Sequence, residues 1–319
     1  MENDNIEVSV IVITYNQSEY IRQAIDSILM QKVNFKYEIL VGDDASSDGT
    51  QEILKQYAEK YPQLFKLILR KDNVGATKNI YELLIKAKGK YLATLEGDDF
   101  WTYNNKLEEQ YNLLEKNKQF IGCTHKFTIV NHNSISIKKQ KLNWVKQKDI
   151  FTIDDFRGIV LPGQLSTWFF KNIFKENKYE LISQVHRLIS DRSIMMVILL
   201  NGDFKLINKN MGAYRSFVEF KNKTKCTNIL YNKNYDKIKQ EIDITKKNEQ
   251  IALEYFNKRY EFLDYRRQIF FDSIIMFLRR PSIERICDIY NSWNYTKNKF
   301  VSILYIPINL FRKLYYRFY

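Results

Sequence analysis

At 319 residues the chain suits one large domain with an appendage or two smaller ones, and its 45% hydrophobic and 27% charged residues exclude a disordered protein. The 50 Lys and Arg against 37 Asp and Glu leave a net charge of +13, which fits a phosphorylated substrate, an anionic membrane or nucleic acid without choosing among them. Three scattered cysteines, Cys123, Cys226 and Cys287, argue against a disulfide framework and for a reducing cytoplasm, and three isolated histidines argue against zinc. The acidic start, Met1 to Asn5, is not a signal peptide, and no run of about 18 apolar residues is present to span a bilayer. The chain is therefore expected in the cytoplasm.

In chain order, Val8–Thr14 is a nearly unbroken β-branched run, the pattern of a strand buried on both faces. Ile21, Ala24, Ile25, Ile28 and Leu29 then repeat at helical spacing. Tyr37–Val41 is a second strand, and Asp48-Gly49-Thr50-Gln51 carries a helix-start pattern ahead of Ile53, Leu54, Tyr57, Ala58 and Tyr61. Leu64–Leu69 reads as a third strand, Ile80 to Ala87 as a helix, and Tyr91–Leu95 as a fourth strand. This alternation predicts an α/β fold with a mostly parallel, Rossmann-like sheet flanked by helices.

Beyond Asn117 the rhythm loosens. Strands are expected at Phe120–His125, Leu165–Phe170, Phe204–Ile207 and Met211–Tyr214, a polar hairpin over Phe127–Lys141, and a helix over Arg192–Leu200 stopped by Asn201-Gly202. From about Glu219 helical periodicity takes over, with one or two long helices across Ile238–Leu278. A boundary is placed near residue 218, separating a first domain (a half over 1–105 and a half over 106–218) from a helical C-terminal extension over 219–319.

The chemistry-bearing residues fall at the carboxyl ends of the proposed strands, where open α/β sheets bind ligands. Thr14-Tyr15-Asn16 follows the first, Gly42-Asp43-Asp44-Ala45-Ser46-Ser47-Asp48 the second, Asn73-Val74-Gly75 the third and Glu96-Gly97-Asp98-Asp99 the fourth. Each alone has a plain reading as a cap or a turn. Together they bring an aromatic ring and several carboxylates to one crevice. Carboxylates so crowded repel unless a cation or a hydrogen-bonding ligand compensates, and hard oxygen donors suit Mn²⁺ or Mg²⁺ arriving with substrate phosphates.

These four segments, in this order and spacing over about the first 105 residues and more loosely to residue 215, resemble the inverting family-two glycosyltransferases of the GT-A fold. The resemblance implies a nucleoside-diphosphate sugar donor, a UDP-sugar foremost, and a single transfer to a saccharide or lipid-linked saccharide acceptor in cell-surface polysaccharide assembly. It implies that Thr14, Tyr15 and Asn16 lie against the base, that Asp44 bonds the base with Asp43 supporting its loop, and that Asn73 and Gly75 belong to the donor site. Asp98 would meet the ribose and Asp99 would hold the Mn²⁺ or Mg²⁺. Glu96 stands where the family more often has Asp. The general base would be Asp191, at the start of the helix that ends at Gly202. Arg215, after Tyr214, would contact phosphate. Gln184-Val185-His186-Arg187-Leu188 is similar to the Gln-x-x-Arg-Trp signature of processive synthases, but it has Leu for Trp, precedes the presumed base and reads as coincidence.

Between Phe270 and Tyr319, eight Lys/Arg against three Asp/Glu mingle with Trp293, Phe300, Tyr305, Phe311 and Tyr315. That mixture suits either a peripheral hold on an anionic membrane surface or a helical pair packed on the protein. Three alternatives to the enzyme remain at this point: a nucleotidyltransferase, a non-catalytic binder of nucleic acid or membrane, and an inactive scaffold. The first usually carries a Gly-rich basic loop after strand one, where this chain has Tyr15-Asn16-Gln17-Ser18-Glu19. The nucleic-acid option is disfavoured because the tightest motifs are acidic and repel phosphate, so nucleic acid is not expected as a partner.

Overall fold

The computed structural model describes residues 5–138, 140, 142–217, 236–297 and 299. Two compact units divide the chain, residues 1–156 with 160–229 and residues 157–159 with 230–319. The boundary expected near residue 218 opens the stretch 218–235, which lies outside the described residues.

The first unit begins β1 (Val8–Thr14), α1 (Ile21–Leu29), β2 (Tyr37–Asp43), α2 (Thr50–Lys60), β3 (Phe65–Leu69), α3 (Ala76–Lys86) and β4 (Tyr91–Glu96). These strands pair in parallel in the order β3-β2-β1-β4, so β1 is central. Its consecutive residues Val8, Ser9, Val10, Ile11 and Val12 are all buried, which is why the β-branched run shows no polar alternation. The apolar stripe of α1 seals one face through Ile21, Ala24, Ile25 and Ile28, each isoleucine worth roughly 1.5–3 kcal/mol when fully buried. Ile80, Leu83 and Leu84 bury the inner face of α3.

The unit continues with β5 (Phe100–Trp101), α4 (Lys106–Lys116), β6 (Phe120–Val130), β7 (Ile150–Phe151), α5 (Ile153–Phe156), β8 (Phe169–Lys171), α6 (Asp191–Leu200) and β9 (Asp203–Arg215). Among the described residues nine strands form one sheet, running from β4 through β8, β6 and β9 to β5, with β7 beside β9. Here β8 is antiparallel to both β4 and β6, so the sheet is mixed.

Three local expectations are corrected. The strand expected over Leu165–Phe170 begins as a 3-10 turn at Leu165–Thr167, because Gln164 accepts the Ser166 N–H through its side chain and the Thr167 hydroxyl through its carbonyl. The two short strands expected over 204–214 are one, since β6 and β9 stay paired across a bulge that absorbs Asn208 and Lys209. The polar hairpin over 127–141 starts later, because β6 runs on to Val130 before an antiparallel bridge to Ser136. Residues 139 and 141 lie outside the described set.

The second unit contains α7 (Lys237–Phe256), α8 (Leu263–Arg279) and α9 (Ile283–Tyr295). Arg266 on α8 donates to both Glu249 oxygens at 2.7 Å and lies 4.2 Å over the Tyr295 ring, joining all three helices. Trp293, one of the aromatics suited either to a membrane surface or to packing within the protein, packs on Phe270 with ring centroids 5.1 Å apart. Phe300, Tyr305, Phe311 and Tyr315 lie outside the described residues. Among the described residues no helix is long and apolar enough to cross a membrane.

Candidate active site

Parallel pairing sets the carboxyl ends of three strands side by side, with Thr14 opposite Asp43 and Ile13 opposite Glu96. The loops leaving them are laced together. Asn16 takes a left-handed φ of 53°, its Oδ1 accepts the Ser47 N–H at 2.9 Å, and its own N–H donates to Ser46 Oγ at 2.8 Å. Asp48 accepts the Ser18 N–H at 3.0 Å. Thr14 is buried and donates to Gln17 Oε1 at 2.9 Å. Of the three residues expected against a nucleobase, Tyr15 is the open one, at 40% exposure.

The second loop turns on two buried acids. Asp43 Oδ1 accepts from the Ser46 N–H and from Gln51 Nε2, while its Oδ2 accepts from the Ser46 hydroxyl. Asp44 reaches across to the loop after β3, where Oδ1 accepts the Val74 N–H at 2.8 Å and Oδ2 the Gly75 N–H at 2.9 Å. Asn73 Nδ2 returns a bond to the Asp44 carbonyl at 3.0 Å. The Asp44 carboxylate, expected to be presented to a base, is spent on this backbone. It is a bolt between two loops.

The acids after β4 divide by environment. Asp99 is 1% exposed, and each of its oxygens is held: Oδ2 accepts from Ser166 Oγ at 2.7 Å and Oδ1 from the Arg215 N–H at 2.7 Å. Glu96 and Asp98 are half-buried. Burial, followed by the neighbouring charges of Asp99, Asp98 and Asp191, pushes Glu96 well above the usual carboxylate range. Burial holds Asp98 up at about 6 against the lowering effect of Arg215 and a Gln17 hydrogen bond. Asp99 is likewise raised, by burial first and by Asp98 second. Gly97 between them has to be glycine: a Cβ there would come 2.4 Å from Gln17 Oε1 and 2.8 Å from Thr14 Oγ1.

Arg215 corrects an expectation. It is 2% exposed and fully engaged by the protein rather than open to phosphate. Its Nε donates to the Asp98 carbonyl at 2.7 Å, Nη1 to the carbonyls of Asn131 (3.0 Å) and His132 (2.8 Å), and Nη2 to Gln23 Oε1 at 2.8 Å. With its N–H on Asp99 and its guanidinium on Asp98, Arg215 fixes the turn that carries both acids.

Asp191 opens α6, half-buried, with Oδ1 accepting the Arg192 N–H at 2.8 Å, and its charge is felt at Glu96. The structure thus brings Glu96, Asp98, Asp99 and Asp191 to one locality. Three participants escaped the sequence reading. Gln17 and Ser166 carry no motif signal, being ordinary polar residues whose roles need tertiary contact. Arg187, set aside as coincidence, lies against Asn73, with Nη2 donating to its Oδ1 at 2.7 Å and its carbonyl at 3.0 Å.

Among the described residues no three His, Cys, Asp or Glu side chains converge into a cage that could hold a metal alone. Yet Glu96 and Asp98 are hard oxygen donors kept reluctant to ionise, so a divalent cation with further oxygens from a ligand fits them.

This mixed sheet, with its acids at the exit of the fourth strand, is the GT-A fold. The family described as Glycosyl transferase family 2 matches residues 9–177, over half the chain, and the chain belongs to that family. It is 42% identical over 123 residues to an uncharacterized protein of Mycobacterium tuberculosis, covering 39% of this chain and 36% of that one. It is 38% identical over 118 residues to EpsE of Bacillus subtilis, named as a glycosyltransferase, covering 37% and 42% of the two chains. A similar match, 36% over 121 residues and covering 38% and 45%, is to TuaG of Bacillus subtilis, named as a teichuronic acid biosynthesis glycosyltransferase. The matched stretches span less than half of these curated relatives. The crystal structure of S. aureus TarS 1-349 in complex with UDP-GlcNAc superposes with a TM-score of 0.65 at 17% identity, over 91% of this chain and 80% of that one.

Proposed function

We propose that the chain moves a single sugar from a nucleoside-diphosphate sugar, a UDP-sugar foremost, to a hydroxyl of a saccharide or lipid-linked saccharide, with inversion, in cell-surface polysaccharide assembly. The observation that carries this reading is the pair of half-buried carboxylates, Glu96 and Asp98, set beside a third at the helix start, Asp191. The names of EpsE and TuaG and the UDP-GlcNAc bound by TarS support the donor class and the polysaccharide setting.

In this reading Tyr15 offers its open ring to the base, while Asp43, Asp44 and Asn73 hold the loops that border it. Glu96 and Asp98 face the diphosphate and are the residues that would hold Mn²⁺ or Mg²⁺; when bound, the cation offsets charge on the departing diphosphate. Asp99, locked by Ser166 and Arg215, keeps Asp98 in place rather than ligating. Asp191 takes the proton of the acceptor hydroxyl as its oxygen attacks the anomeric carbon and the bond to the diphosphate breaks on the opposite face. A general base of this kind contributes about 10²–10⁴ in rate. A hold of the basic C-terminal unit on an anionic membrane would bring the enzyme to a lipid-linked acceptor.

The decisive experiment is a thermal-shift panel of UDP-, GDP- and dTDP-sugars with and without Mn²⁺, followed by turnover of whichever donor binds. A UDP-sugar that raises Tm only with the cation supports the reading. No response to any nucleotide sugar sinks it.

A further inference from the structure

The segment before Asp191 is built into the loop after β3, at a place where that loop has made room for it. Gly75 has φ +92°, and a Cβ at this position would lie 2.4 Å from Arg187 Cγ and 2.6 Å from the Arg187 carbonyl oxygen. Only glycine tolerates both that backbone and that approach. The Arg187 carbonyl accepts the Thr77 N–H at 3.2 Å, satisfying a backbone donor in the first turn of α3. The Arg187 guanidinium in turn takes both acceptors of Asn73, side chain and main chain. On its far side His186 Nδ1 accepts the N–H groups of Leu188 and Ile189, each at 3.1 Å, which curls the chain straight into Ser190 and the start of α6.

The same loop is bolted on its other side by Asp44, through the N–H groups of Val74 and Gly75. A continuous set of contacts therefore runs from the loop after β2, through Asn73–Thr77, to residues 186–191. Arg187 is exposed, and among the described residues no carboxylate pairs with it. Its guanidinium lies beside the loop assigned to an anionic donor.

We propose that Arg187 is a positioning residue that couples occupation of the nucleotide loop, residues 73–77, to the placement of Asp191. An anionic donor at that loop draws on the guanidinium, the guanidinium holds residues 186–190 against Gly75, and Asp191 is brought to its working position at the mouth of α6. The inference rests on the reading of Asp191 as base and of the 73–77 loop as donor-binding.

Amide hydrogen exchange on the full chain, wild type and Arg187→Ala, with and without UDP and Mn²⁺, tests it. Without ligand, Arg187→Ala should speed exchange in both 73–77 and 186–193 by about fivefold or more, since both segments lose the guanidinium contact with Asn73 and keep only the backbone bond to Thr77. Unchanged exchange there overturns the coupling whether or not UDP binds. With UDP and Mn²⁺, wild type should slow exchange in both segments, and Arg187→Ala should keep the slowing at 73–77 but lose it at 186–193. Equal slowing of 186–193 in the variant overturns the proposal. If UDP protects neither segment of wild type and gives no titration signal, the donor reading fails, and the ligand-free comparison still decides whether the two segments move together. In turnover, Arg187→Ala should lower kcat about tenfold with UDP affinity within about threefold, Arg187→Lys should recover part of it, and adding Arg187→Ala to Asp191→Asn should have no further effect. Additive losses overturn action through Asp191.

Discussion

At the scale of residues, two adjacent aspartates have opposite surroundings and should fail in opposite ways. Asp98→Ala removes a half-open carboxylate bonded by Gln17 but leaves the Asp98 backbone carbonyl on Arg215, so Tm should stay within a few degrees while cation-dependent UDP binding disappears. Asp99→Ala strands the buried Arg215 N–H and the Ser166 hydroxyl, each costing about 1–3 kcal/mol when unpaired. Urea unfolding should register that loss with no ligand present. If Asp99→Ala leaves the unfolding midpoint alone and abolishes only cation binding, the division of labour is reversed. Asp191→Asn is expected to leave the UDP titration unchanged and lower transfer by about 10²–10⁴; near-normal turnover would remove it as the base. What was legible here was local. Glu96-Gly97-Asp98-Asp99 announces itself because strand, turn and acids are contiguous. That Asp99 is closed depends on Ser166 and Arg215, which lie 67 and 116 positions away and leave no mark on the motif.

At the scale of elements, the sequence reading was sharpest for β1 to β4, whose buried runs and helical stripes repeat at short range. It was weakest where a polar side chain redirects the backbone. Gln164 turns Leu165–Thr167 into a 3-10 turn despite an apolar pattern, and the Asn208-Lys209 bulge hides inside a strand that composition breaks in two. The loop after β3 shows the same limit: Gly75 looked like a simple turn, while its lack of a Cβ is what seats Arg187. Gly75→Ala should therefore cost about 1–3 kcal/mol, from the positive φ and from displacement of a backbone carbonyl rather than of a flexible tip. Denaturant unfolding measures this directly. An alanine variant as stable as wild type would mean that the segment rearranges at no cost.

For the molecule as a whole, two sets of buried ionisable groups should give stability a pH signature. Asp98 binds a proton in the folded chain between about pH 4 and pH 6 that the unfolded chain has already released, so its contribution is present in acid and lost as pH rises through its value of about 6, and the raised Glu96 and Asp99 act in the same sense. A cation relieves that repulsion only when the acids are ionised. The Tm gain from Mn²⁺ with UDP should accordingly be larger near pH 7.5 than near pH 5, and equal gains would place the cation elsewhere. Lys106 works in the opposite sense. It is wholly buried, donates to Gln110 Oε1 at 2.7 Å, lies 3.8 Å over the Trp101 ring, and is pushed down by burial to about 7. Between about pH 7 and 10 the unfolded chain holds a proton that the folded one has given up, so this group adds stability as pH rises and adds none below. Lys106→Met should flatten the rise in Tm over that range; an unaltered slope would show the ammonium to be compensated inside.

The order in which a ribosome releases this chain gives Arg215 a further consequence. The guanidinium that clasps the Asp98 carbonyl follows it by 117 positions, and the strand carrying it is the last of the sheet among the described residues. Until that strand has emerged, the nascent polypeptide displays its acidic turn without the clasp that shapes it. The shape of that turn is therefore completed only after β9 has been made.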